Sequence, residues 1–185
     1  MIDSLCDQAG EKDLAVAWLY CDFLAHQEQL ATAMLGAILR QLVCIREIPE
    51  NVRQTFQKLF SDRGLRLPDI VRILKTTISL LPRVYICIDA LDESTPKSRQ
   101  ELLGSLRDIV RESPSTRLLI TGRPHVGEEV EKYFTNITTV PVSPNAGDIR
   151  VYLDARLDGD LEPYAMDDDL RRDIMRIIPE IISEV

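Results

Sequence analysis

The sequence is poor in most of what marks a specialised chemistry. Its 185 residues hold only four cysteines and two histidines. Cys6, Cys21, Cys44 and Cys87 lie far apart and form no Cys-x-x-Cys pair, which argues against a zinc site or a disulfide framework. Cys21 and Cys87 fall in or beside strand-like apolar runs, where a thiol behaves as a small buried hydrophobe. Neither His26 nor His125 has a partner pattern, and no Gly-x-Ser-x-Gly elbow occurs, so hydrolase chemistry of the Ser-His kind has no support. Basic residues are outnumbered: the net charge is −8 and the pI near 4.8, which speaks against nucleic acid or an anionic membrane as partner. No apolar run approaches the length of a membrane span. Met1 is followed by no basic region leading into an apolar core, so no secretory signal is expected and a reduced, cytoplasmic compartment is the simplest reading. There is no internal repeat and no low-complexity tract. The absence with most consequence is that of any Gly-Lys pair, which excludes a Gly-x-x-x-x-Gly-Lys-Ser/Thr phosphate loop within the chain.

What is present is an ordinary globular composition, 45% apolar and 28% charged, long enough for a sizeable core. The chain is organised around Val84-Tyr85-Ile86-Cys87-Ile88-Asp89-Ala90-Leu91-Asp92-Glu93. A short continuous apolar run rich in β-branched residues suits a strand buried on both faces, as in a parallel sheet. It ends abruptly in a carboxylate, and ligands of open α/β sheets bind outside the carboxyl ends of the strands. Asp89 stands at that end, with Asp92 and Glu93 beside it. Oxygen ligands suit Mg²⁺, which takes one or two carboxylates together with waters and substrate phosphates. Asp92 and Glu93 are close enough in sequence to orient or deprotonate a water there. The plain alternative is a buried strand followed by a solvated acidic turn.

Two further runs read as buried strands, Leu14–Phe23 and Arg117–Thr121, and a short fourth is expected at Ile137–Val140. The third strand runs into Gly122-Arg123-Pro124, which holds an arginine at a strand end. Guanidinium geometry suits phosphate, although a surface arginine in a turn would look the same in sequence.

Helices are expected between the strands. Residues 1–13 look like the tail of one. Gln27–Ile45 carries Leu30, Met34, Ile38, Leu42 and Ile45 on one stripe, broadened by Leu35 and Leu39. Pro49 opens a second helix ending near Gly64. Pro68 opens a third, with Ile70, Val71, Leu74, Ile78 and Leu81 inward. Thr95-Pro96 is a cap and first turn, followed by Leu102, Leu103, Leu106, Ile109 and Val110 and stopped by Ser113-Pro114. Ser143-Pro144 is read as the cap of a helix with Ile149, Tyr152, Leu153 and Leu157 inward. After an acidic link at 158–169, Leu170, Ile174, Ile177, Ile178 and Ile181 mark a last helix. Pro179 should kink it or fray its final turn.

The stretch Ile88-Asp89-Ala90-Leu91-Asp92-Glu93 resembles a Walker B motif of STAND-class NTPases, and Thr121-Gly122-Arg123-Pro124 resembles their sensor 1 segment. In order and spacing nearly the whole chain is similar to the NACHT domain that opens many fungal NLR-like and ankyrin-repeat proteins, also described as a nephrocystin-like N-terminal domain. The resemblance implies an α/β fold: a three-layer, P-loop NTPase-like parallel sheet with helices on both faces, here missing its first (Walker A) strand. It divides the chain into a partial core at 1–158 and an acidic linker with a C-terminal helix at 159–185.

The resemblance also implies a domain that binds ATP or GTP with Mg²⁺ and serves as a nucleotide-driven oligomerisation switch. Asp89 would meet the metal, Asp92 and Glu93 would position or activate water, and Arg123 would sense the terminal phosphate. The expected partners are nucleotide, further copies of the chain or other protein domains. Against that stands the missing phosphate loop. Without its N–H groups the acidic cluster by itself would repel a nucleotide. The competing expectation is therefore a non-enzymatic interaction scaffold with an open sheet edge; Leu118–Thr121 should either be bare on that side or pair with Ile137–Val140 across the gap.

Overall fold

In a computed structural model, the structure describes residues 14–25, 29–45, 66–143, 145–159 and 167–183. The chain divides into two compact units, Met1–Ile137 and Thr138–Val185. The expected helices at 1–13 and at 49–64 lie outside the described residues. Among the described residues no helix is long and apolar enough to cross a membrane.

The first unit is built on a parallel sheet of three strands in the order β1-β2-β3. These are β1 (Ala15–Tyr20), β2 (Val84–Asp89) and β3 (Thr116–Ile120). The register pairs Tyr20 with Asp89 and Ile88 with Ile120, so the three strands finish together and their carboxyl ends form one edge. Side chains alternate across the pleat. Ala15, Ala17, Val84, Ile86 and Ile88 enter the main core, while Leu14, Val16 and Cys87 form a second buried cluster with Tyr85 and Leu119 packed against it. Both faces of β2 are therefore covered, which is why its sequence is apolar without alternation.

Three helices build the main core: α1 (Ala31–Ile45), α2 (Leu67–Ser79) and α3 (Pro96–Glu112). In α1, Met34, Leu35, Ile38, Leu39 and Leu42 are buried at three- and four-residue spacing. Leu30 precedes the first turn and is exposed, contrary to its expected place on the stripe. Pro68 sits in the first turn of α2, where its missing N–H costs nothing. Ile70, Ile73, Leu74, Thr77 and Ile78 are its buried residues. Thr95 caps α3 by accepting from the Ser98 N–H at 3.2 Å, with Pro96 in the first turn. Leu102, Leu103, Leu106 and Ile109 are fully buried.

The outer edge of β1 is closed by a side chain. Gln41 of α1 accepts from the Trp18 N–H at 2.9 Å and donates to the Trp18 carbonyl at 2.7 Å. One amide thus does what a neighbouring strand would do at that position. β3 has no partner strand on its other side among the described residues.

Some expectations need correction. Ile137–Val140 forms no strand. A strand needs a neighbour for its N–H and C=O groups, none is paired with this segment, and Val140 and Val142 are exposed around Pro141. In the second unit α5 (Ala146–Asp158) is capped by Asn145, which accepts from the Asp148 N–H at 2.9 Å, rather than by Ser143-Pro144. Ile149 is buried but Tyr152 is exposed. The last helix, α6 (Asp168–Ser183), carries Pro179 near its end, where a kink or a frayed final turn is expected. Arg171 of α6 joins it to α5 through Asp158 at 2.7 Å and Asp154 at 3.2 Å.

Candidate functional site

The four residues singled out from sequence meet at the carboxyl edge of the sheet. Asp89 is the last residue of β2 and is half-buried. Asp92 and Glu93 lie in the single 3-10 turn Leu91–Glu93 that follows it. Arg123 lies just beyond β3 and stands at the N-cap of a short helix, α4 (Pro124–Glu131).

Ala90 makes the turn possible. Its φ of 54° and ψ of 46° place it in the left-handed region, which costs a non-glycine residue roughly 1–2 kcal/mol. Thr121, at the end of β3, holds it there. The Thr121 hydroxyl accepts from the Ala90 N–H at 3.0 Å and donates to Asp89 Oδ1 at 2.5 Å. Its backbone adds two more ties, donating to the Ile88 carbonyl at 2.9 Å and accepting from the Leu91 N–H at 2.9 Å. The ends of the two strands are thus bolted together through one residue. That residue was no candidate from sequence. The available signal was a hydroxyl one position past an apolar strand, next to a strand that ends in a carboxylate.

Asp92 is turned toward the other strand end. Its Oδ1 accepts from the Arg123 N–H at 3.2 Å, and its Oδ2 lies 3.3 Å from Arg123 Nε. The Asp92 side chain is only 9% exposed, whereas that of Arg123 is 75% exposed. The backbone passes close over this carboxylate: a Cβ on Gly122 would stand 3.4 Å from Asp92 Oδ1. Glu93 reaches a third segment, its Oε2 accepting from the Phe23 N–H at 2.9 Å. Phe23 and Leu24 form a turn just past β1, closed by Asp22 Oδ1 accepting from the Leu24 N–H at 2.9 Å.

The buried thiol of Cys21 lies among these acids. Burial is the main cause that pushes it from 9.0 up to about 11, with Glu93, Asp89 and Asp92 adding to the shift and Arg99 opposing it. It is a neutral wall of the site and no nucleophile.

Two carboxylate oxygens, Asp89 Oδ2 and Glu93 Oε1, take no hydrogen bond from a described residue. Among the described residues no group of three or more His, Cys, Asp or Glu side chains is placed to hold a metal ion. A hard cation at this edge would meet one strand-end carboxylate, backed by a hydroxyl. That donor set fits Mg²⁺ completed by water and phosphate oxygens, and does not fit a cation caged by protein alone.

Residues 1–123 match the protein family described as Nephrocystin 3, N-terminal. The matched span takes in all three strands and closes on Arg123. No curated protein matches the chain.

Proposed function

Since the chain belongs to the Nephrocystin 3 N-terminal family, we propose that the acidic sheet edge is the metal- and phosphate-sensing half of a NACHT-type nucleotide site. The observation that carries this reading is the meeting of Asp89, Asp92, Glu93 and Arg123 on one edge of a parallel sheet, with Arg123 paired to Asp92, Asp89 held by Thr121 and Glu93 by the Phe23 N–H. In this reading Asp89 binds Mg²⁺ directly or through water. Glu93, with its second oxygen available, orients or activates a water, and Asp92 sets the position of Arg123. The Arg123 guanidinium is held by one 3.3 Å contact and is largely exposed, so it can exchange Asp92 for a terminal phosphate. Three acids against one arginine leave the site negative, so the nucleotide must arrive with Mg²⁺. The resemblance to NACHT proteins extends the proposal to ATP or GTP as ligand and to nucleotide-driven oligomerisation as its consequence.

Titration calorimetry tests this. Mg²⁺-ATP or Mg²⁺-GTP should release heat with the wild-type chain. The heat should vanish with EDTA and fall at least about tenfold in apparent affinity for Asp89→Ala, a loss of about 1.4 kcal/mol. Absence of heat at millimolar nucleotide refutes the proposal.

Specific observations favour a second reading, that of an interaction scaffold. The chain contains no Gly-Lys pair, and the outer side of β3 has no partner strand among the described residues. An open strand edge is a template for pairing with another chain. Concentration-dependent self-association without nucleotide, together with silent calorimetry, is the result this second reading requires.

A further inference from the structure

We propose that Arg99 is a positioning residue that locks the acid-bearing turn to the helix headed by Arg123, so that the two halves of the sheet edge move as one body. Arg99 sits in the first turn of α3 and is buried, which is unusual for an arginine. Its guanidinium serves two segments at once. Nη1 donates to the Ser94 carbonyl at 2.9 Å, and Nε pairs with Glu129 Oε2 at 2.7 Å.

Each partner controls one half of the site. Ser94 closes the turn that carries Asp92 and Glu93, its hydroxyl donating to the Leu91 carbonyl at 2.7 Å. Glu129 lies in α4, whose N-cap is Arg123. That helix is short, its N-cap makes no side-chain capping bond, and Val126 is its one buried residue. Its hold on the rest of the unit rests on Val126, on Val130, Tyr133 and Phe134 packed partly buried against the core, and on two ion pairs, Arg123 with Asp92 and Glu129 with Arg99. The second oxygen of Glu129, Oε1, is buried without a hydrogen-bond partner, so Arg99 supplies the one side-chain contact shown for this carboxylate among the described residues. Removing Arg99 would leave that carboxylate with no counter-charge, and the cheapest relief is for α4 to swing outward and take Arg123 with it. Lysine is no substitute, because one ammonium nitrogen replaces two nitrogens fixed in a planar fork.

The structural coupling stands on these contacts alone; its meaning for phosphate sensing rests on the nucleotide reading above. Hydrogen exchange on the intact chain tests the coupling without any ligand. In Arg99→Ala, amides of both Leu91–Ser94 and Val126–Phe134 should exchange at least about tenfold faster, with β2 amides unchanged. In Glu129→Gln, only the Val126–Phe134 segment should accelerate, because the Ser94 contact survives. Arg99→Lys should fail to restore both segments. Unchanged exchange in Arg99→Ala, equal loss in β2, or an open turn in Glu129→Gln would each overturn the inference.

The role in the site is read from a double-mutant cycle on nucleotide affinity. Arg123→Ala should cost at least about tenfold in the wild-type background and less than about threefold in Arg99→Ala. An undiminished cost in the Arg99→Ala background removes the positioning role. If the wild-type chain binds no nucleotide, the function reading fails, and hydrogen exchange alone still decides the coupling.

Discussion

Thr121→Val exchanges one hydroxyl for a methyl of nearly the same size and cuts two hydrogen bonds at the centre of the site. The bond to Asp89 Oδ1 is short, at 2.5 Å, and its acceptor carries charge; such bonds contribute about 1.5–3 kcal/mol. The bond from the Ala90 N–H, at 3.0 Å, joins neutral groups and contributes about 0.5–1.5 kcal/mol. Thr121 itself is exposed, and Asp89 and Ala90 are half-buried, so water replaces part of what is lost. Ala90 also regains some freedom to leave its left-handed conformation, which lowers the cost further. The expected net loss is about 1–2 kcal/mol. For a chain of this size that lowers Tm by about 3–6 °C.

The assay is urea unfolding followed by the fluorescence of Trp18, the only tryptophan of the chain, which reports on β1 of the same sheet. The midpoint should fall while the slope stays constant. Thr121→Ser keeps the hydroxyl and should stay within about 0.5 kcal/mol of wild type. A Thr121→Val protein as stable as wild type would refute the reasoning. So would a Thr121→Ser protein that loses as much as the valine variant.

Further outcomes follow from the same geometry. Because burial raises the Cys21 thiol from 9.0 to about 11, the folded state keeps its proton longer than the unfolded state. The stability this contributes is complete below pH 9 and is lost as pH climbs toward 11. Unfolding measured between pH 9 and 11 should therefore fall more steeply in wild type than in Cys21→Ala, and equal slopes would contradict the assignment. At pH 8 iodoacetamide should modify the exposed Cys44 well before the buried Cys21 and Cys87. Gln41→Leu strips both hydrogen bonds from Trp18 and should cost about 1–2 kcal/mol. It should also raise self-association in light scattering, because an open strand edge is exposed; a variant that stays as monodisperse as wild type would show that Gln41 guards nothing.

Much of the first unit was legible in the chain because its signals are local. Apolar runs ending at Asp89 and Thr121 fix where strands stop, and Thr95-Pro96 states where a helix starts. The buried stripes of α1 and α3 follow from spacing alone. The errors fall where an outcome depends on a neighbour. Ile137–Val140 has strand composition but no strand to pair with. Leu30 and Tyr152 have core-like side chains, yet each lies where nothing covers it.

By itself the sequence determined which chemical groups stand at the strand ends: three carboxylates at and after the end of β2 and one arginine after β3. Their residue types and their distance from the last apolar position are written locally, and the pleat of a buried strand does the rest. Only the tertiary structure decided which of them face one another. Thr121 bridges to Asp89 across 32 positions, Arg123 pairs with Asp92 across 31, and Arg99 with Glu129 across 30. Such partnerships depend on parallel register and on helix docking, which are set by packing over the whole unit and leave no mark in any one stretch of chain.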